Sequence, residues 1–179
     1  MANRFKVIQG GPYPHFVTFT IVRWYPVFVS GPYLRIILDS LEFMRKNRGL
    51  LVHAYVIMPT HVHAIVCAIG DDLSEIVRDF KRFTARGIEE QSKRDGNKLL
   101  SWLFVNSDRD SRAKSKVWQD EFHPEVVFTR DFFVQKADYI HANPIRKGLI
   151  ADATQYYYSS AAAFDRAETE PFEVDWLEW

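Results

Sequence analysis

The chain has 179 residues, 47% hydrophobic and 15% aromatic, with no net formal charge, which is enough apolar material for one substantial core and too little length for two equal domains. A neutral total argues against a strongly basic, general nucleic-acid binder, and one cysteine, Cys67, excludes an intrachain disulfide or a cysteine-based zinc cluster. No stretch approaches the roughly 18 apolar residues that cross a bilayer, and the first residues lack the apolar run of a secretory leader, so a cytoplasmic location without membrane association is expected.

The neutrality is an average. Residues 165 to 179, "DRAETEPFEVDWLEW", hold six acidic side chains against Arg166, leaving 22 basic and 17 acidic residues elsewhere. The expected organisation is one domain over residues 1–163 followed by an acidic tail over 164–179.

In chain order, "HFVTFTIV" (15–22) mixes β-branched and aromatic residues after a Gly and Pro cluster and predicts a strand. From Ser30 to Arg48, a Ser-Gly-Pro start, apolar residues Leu34, Ile37, Leu38, Leu41 and Met44, and a stop at Gly49 predict an amphipathic helix. "LLVHAYVIM" (50–58) and "HVHAIVCAI" (61–69), joined by Pro59 and Thr60, predict an antiparallel hairpin, with Cys67 a small buried hydrophobe. A second helix runs from Leu73 to about Gln91, with Leu73, Ile76, Val77, Phe80 and Phe83 toward the core; Gly96 closes it. Residues 96–122 mix polar and apolar positions and predict a mobile excursion able to pack on a ligand, in which Trp102, Phe104 and Trp118 are candidates to stack on unpaired bases or to pack on the sheet. "PEVVFT" (124–129) is a short strand, and a helix follows from about Asp131 to Ala142, with Phe132, Phe133, Ala137 and Ile140 inward and Pro144 as its stop. This order predicts an α+β fold, a ferredoxin-like sandwich of antiparallel sheet and packed helices.

His61 and His63 are two apart in a predicted strand, so they project from one face while Val62 and Ala64 project from the other. The pair suits a metal site, but such a pair also arises by chance in many strands, and by itself it more often means two hydrogen-bonded, half-exposed histidines. In the last helix, Gln135, Tyr139 and Asn143 follow at intervals of four and share a face, from which His141 points away. Tyr139 there fits an amphipathic helix position with its hydroxyl at the rim, and Asn143 before Pro144 fits helix termination.

Taken together, "AYVIMPTHVHAIV", "VWQDEFHPEVV", "DYIHANPIRKGLI" and "YYYSSAAA", in this order and spacing, resemble the REP-associated tyrosine transposases, the single-tyrosine branch of the HUH nucleases. The resemblance extends from "FVTFTIVRWYPVF" to Ala163. Thr60 departs from the asparagine usual before the first histidine and, being in the turn, is expected to leave the ligands untouched; the tail lies outside the pattern. The resemblance implies that His61 and His63 are metal ligands, that Asn143 is a third, and that Tyr139 is the catalytic nucleophile. The implied cofactor is a divalent metal, Mg²⁺ or Mn²⁺, since two imidazoles and an amide oxygen leave positions open for a scissile phosphate. Attack by Tyr139 would leave a 5′-phosphotyrosine and a free 3′-hydroxyl, and the phenolate's quality as a leaving group keeps the step reversible.

The implied substrate is single-stranded DNA folded into an imperfect hairpin, handled by a monomer or a homodimer. Lys81, Arg82 and Arg86 on the second helix, with Arg146 and Lys147 after Tyr139, are candidates for DNA-backbone contacts. His123 is a candidate assisting residue or a structural hydrogen-bonding one, and Gln135 an alternative ligand. Tyr156, Tyr157 and Tyr158 are disfavoured as nucleophiles because no amide ligand lies one turn away. Two other classes stay open: a transposase-derived regulatory DNA binder without cleavage, and a metal-dependent hydrolase that uses water and dispenses with Tyr139. The acidic tail is a candidate to occlude the DNA groove.

Overall fold

The computed structural model describes residues 13–70, 73–107, 115–120 and 122–177; Arg109, Arg112 and Lys114, part of a basic cluster in the sequence, lie outside them. Strand β1 (His15–Thr20) leads through a single 3-10 turn to helix α1 (Gly31–Arg48), which has proline in its first turn and ends at Gly49, where φ is 67°. A Cβ at Gly49 would also come within 3.2 Å of the Ile69 carbonyl oxygen, so glycine meets both the left-handed backbone and the close approach. Strands β2 (Leu50–Met58) and β3 (His61–Ala68) form the expected hairpin, and helix α2 (Leu73–Arg94) follows.

The strand order is β2-β3-β1-β4, where β4 (Glu125–Val126) is the short strand expected from "PEVVFT". β3 is antiparallel to both β1 and β2, so β1 and β2 run parallel with β3 between them. That is the ferredoxin-like topology, an α+β sandwich.

Alternation along the strands separates two cores. Val62, Ala64 and Val66 of β3 join Val17, Phe19 and Ile57 in a large cluster closed by Leu34, Ile37, Leu38, Leu41 and Met44 of α1 and by Ile76, Val77 and Phe80 of α2. The opposite face carries a smaller cluster, Phe16, Ala54, Val56, Met58 and Ile65, covered by Phe133, Ala137 and Ile140 of helix α4 (Arg130–Arg146). His61 and His63 belong to this second face by parity with Ile65.

The structure departs from sequence expectation in three places. Phe83 is exposed; Thr84 and Ile88 take the inward positions on α2, because a 3.6-residue period carries position 83 past the edge of the buried stripe. The segment expected to be an irregular excursion contains helix α3 (Lys98–Val105), started by the Asn97 side chain accepting from the Leu100 amide. Phe104 and Trp118 are consequently core residues, the Trp118 indole donating to Thr84 Oγ1 at 3.0 Å, while Trp102 stays exposed. Helix α4 does not stop before Pro144 but continues to Arg146: a proline this close to the C-terminus removes one helical hydrogen bond, Asn143 and Pro144 are both buried, and the Lys147 and Leu149 amides cap the Asn143 and Pro144 carbonyls.

The segment after helix α5 (Ala161–Arg166) is docked on the outer edge of β2. Phe172 and Val174 are buried, Arg45 pairs with Asp175 at 3.1 Å, and Asp175 exchanges main-chain and carboxylate hydrogen bonds with Val52. These bonds fall at the register break between Val52 and Ala54, where the bulged His53 donates from Nδ1 to the Asp175 carbonyl. With Tyr158, Ser159 and Ser160 bonded along Tyr55 to Ile57, the tail occupies backbone groups that an exposed edge strand would offer to another chain.

Candidate active site

His61 and His63 sit at the start of β3, opposite Thr20 and Thr18 of β1. Both are buried, and their rings lie 4.5 Å apart between centroids. Each Nδ1 is 2.8 Å from a threonine hydroxyl, Thr60 for His61 and Thr18 for His63. In the tautomer that donates Nδ1–H to the threonine oxygen, both Nε2 lone pairs are free to bind a metal. Thr60 therefore does touch the site: although in the turn, its hydroxyl folds back onto the adjacent imidazole.

Burial sets the charge of this pair. Desolvation, with Lys147 nearby, pushes His61 down to about 4, and desolvation, with His61 and Lys136 nearby, pushes His63 down to about 3. Both rings are neutral at pH 7, the form that ligates.

Helix α4 crosses this face. The Tyr139 ring lies 5.4 Å from the His63 ring and 5.9 Å from Phe16, and the Tyr139 residue is 38% exposed. One turn on, Asn143 is buried and donates from Nδ2 to the Tyr139 carbonyl at 2.9 Å, which leaves Oδ1 as the atom available to a cation. Lys147, next after the last residue of α4, adds its charge to the causes that lower His61.

No group of three His, Cys, Asp or Glu side chains suited to a metal ion occurs among the described residues; a neutral amide oxygen is another donor that suits a divalent cation. Asn143, one turn after Tyr139 on α4, carries such an amide. Two neutral imidazoles and one amide oxygen fit a six-coordinate divalent ion that keeps positions for phosphate or water.

The remaining candidates distribute unevenly. Arg146 holds its guanidinium 5.3 Å from the centre of the Tyr139 ring, and Lys147 is exposed beside it. Gln135 is exposed on α4 one turn before Tyr139, and His123 is exposed two residues before Glu125, which pairs with Phe16. Lys81, Arg82 and Arg86 are on α2, across the sheet from the histidines, and already engaged: Lys81 donates to the Gln119 carbonyl, Arg82 pairs with Asp79 and Arg86 with Glu90. Tyr156 is tied by its hydroxyl to the Ile57 carbonyl, and His141 points away to Ser160, as its helical position predicts.

Sequence reasoning missed three neighbours. Thr18 and Lys136 become visible only through strand register and the β4 ion pair: Lys136 bonds Glu125 at 2.8 Å and lies 4.5 Å from the centre of Phe16. Trp24 packs edge-to-face on His61 at 5.5 Å. The only signal for it was an aromatic residue just past a strand end.

No family model matches the chain, and no curated protein matches it in sequence. Among solved structures it matches a REP-associated tyrosine transposase bound to a REP hairpin, with a TM-score of 0.67 and 16% identity over 99% of this chain and 92% of the other. A candidate transposase from Deinococcus radiodurans R1 aligns with a TM-score of 0.45 and 18% identity, over 78% of this chain and 95% of its own. The first likeness is one of fold: the described residues of this chain share the architecture of that REP-associated tyrosine transposase.

Proposed function

We propose that the protein is a DNA-processing enzyme of the tyrosine transposase type, cutting and rejoining single-stranded DNA beside a hairpin. The observation that carries this reading is the placement of Tyr139 against His63 on a sheet face that α4 leaves partly open. The likeness in fold to a protein bound to a REP hairpin supports a hairpin substrate.

His61 Nε2, His63 Nε2 and Asn143 Oδ1 would hold a divalent ion of the Mg²⁺ or Mn²⁺ kind. When bound, such an ion polarises a phosphodiester and offsets the charge that builds on it. Thr18 and Thr60 hold the two imidazoles in the ligating tautomer. The Tyr139 oxygen attacks phosphorus, a Tyr139–phosphorus bond forms as the bond to the 3′ oxygen breaks, and the phenolic proton ends on the departing 3′-hydroxyl. Reversal by another 3′-hydroxyl completes strand transfer without an energy-rich cofactor, because the phosphotyrosine retains the bond energy.

Arg146, beside the Tyr139 ring, and Lys147, beside His61, carry the backbone-binding part of the proposal. A strand reaching Lys81, Arg82 and Arg86 would have to wrap to the far side of the sheet. His123, exposed before β4, and Gln135, exposed one turn before Tyr139, are kept as assisting groups.

Incubating labelled hairpin DNA with the full-length protein and Mg²⁺ or Mn²⁺ tests the reading. A covalent protein–DNA adduct is expected, lost with EDTA and lost by at least a thousandfold in Tyr139→Phe, with no change in thermal stability. Cleavage that survives Tyr139→Phe would assign a water-using hydrolase, and binding without cleavage a regulatory DNA binder.

A further inference from the structure

We infer that Trp24 is the stacking platform for an unpaired base next to the phosphate held at His61 and His63. The inference rests on the function proposed above and extends it to a residue with no part in the chemical step.

Trp24 is 57% exposed, yet its position is tightly specified. Arg23 and Trp24 have φ of 55° and 54°, two successive side-chain-bearing residues in the left-handed region that only glycine adopts freely. Such a backbone persists only where its surroundings over-determine it. Here the Val22 amide donates to the Val117 carbonyl at 2.9 Å, the Trp24 amide to the Ile21 carbonyl at 3.0 Å, and the Arg23 guanidinium to the Asn106 carbonyl at 3.1 Å. The Ile21 amide donates to the carbonyl of Thr60, whose hydroxyl holds His61. One rigid frame therefore carries both the indole and the imidazole, with their ring centres 5.5 Å apart.

The frame turns a large apolar ring toward water rather than into either core. The ring contact with His61 uses part of the indole, and more than half of the residue stays open. A phosphate bound at the histidine pair brings the base of its own or the neighbouring nucleotide to the same rim. Every base offers a π-face, so an indole at this place binds a single strand with little dependence on sequence, and it does so only where the base is unpaired. Trp24 would thereby favour substrate that is single-stranded at the cleavage point over duplex.

The test uses the full chain and a fluorescently labelled DNA hairpin with unpaired 5′ and 3′ flanks, plus a series in which each flank nucleotide in turn is abasic. Wild-type protein should bind one abasic probe about ten- to a hundredfold more weakly than the intact one. Trp24→Ala should show the same loss on the intact probe and no further penalty from that abasic position, and Trp24→Phe should recover most of the affinity. A merely structural role would weaken all probes alike and leave the position-specific penalty in place, which overturns the inference. So does Trp24→Ala binding within twofold of wild type, and so does an abasic series without a sensitive position. The adduct assay separates the two levels: an adduct through Tyr139 combined with indifference to Trp24→Ala removes the stacking role alone, whereas wild-type protein that neither binds nor cuts the probe removes both.

Discussion

Strand β3 builds two different surfaces from alternate residues. On one face Val62, Ala64 and Val66 meet two long helices and water is excluded throughout. On the other, His61 and His63 meet one helix, which covers Ile65 and Val56 with Ala137 and Ile140 but brings Tyr139, Arg146 and Lys147 to the rim. The first face spends its contacts on packing; the second keeps two neutral, desolvated imidazoles beside a partly exposed tyrosine. A two-helix cover would have buried Tyr139, and no cover would have left the histidines hydrated and ready to protonate.

That contrast predicts separable effects. On the packed face, Ile37→Ala removes a fully buried side chain and should lower unfolding free energy by about 2–5 kcal/mol in chemical denaturation, while adduct formation per folded molecule stays at the wild-type rate. Tyr139→Phe should do the opposite, and two variants with the same phenotype would break the division.

A pH titration sharpens it. His141 on α4 is half-buried against Ser160, and desolvation pushes it down to about 4 from an ordinary value of 6.5. Between those values the unfolded chain holds more protons than the folded one, so stability rises with pH and is lost as pH falls from about 6.5 toward 4. His141→Gln should flatten this part of the stability curve by roughly 2 kcal/mol, measured by denaturation at pH 7 and pH 5. An unchanged curve would place the acid sensitivity in other buried histidines. The smallest effect on stability is expected from Thr18→Val, which removes the hydroxyl on His63 Nδ1 and should weaken Mn²⁺ binding by about ten- to a hundredfold in calorimetry while leaving the unfolding curve nearly unchanged. Unchanged affinity would mean that the tautomer is held without Thr18.

Much of this was legible in the residues. The apolar spacing of Leu34 to Met44, the Pro59–Thr60 turn between two β-branched runs and the short strand near Val126 correspond to elements of the structure, and their order leads to the observed topology. Helix α3 was hidden because its apolar residues, Leu99, Leu100, Trp102, Leu103, Phe104 and Val105, surround the helix and show no clean stripe; Leu99, Trp102 and Val105 remain exposed. The extension of α4 through Pro144 was hidden because burial of Asn143 and Pro144, not local preference, decides where that helix ends. The acidic composition of the tail concealed Phe172, Val174 and Asp175, three residues that attach it to α1 and β2.

The candidate site divides along the same line. That His61 and His63 share a face, and that Tyr139 and Asn143 share another, follows from the periods of strand and helix, which are properties of the local chain. Whether those two faces meet depends on which side of the sheet α4 packs, and the tertiary structure places it over the histidines. The same packing brought Thr18 opposite His63 and Trp24 against His61. Register and helix placement are set by long-range burial, which no short stretch of sequence encodes by itself.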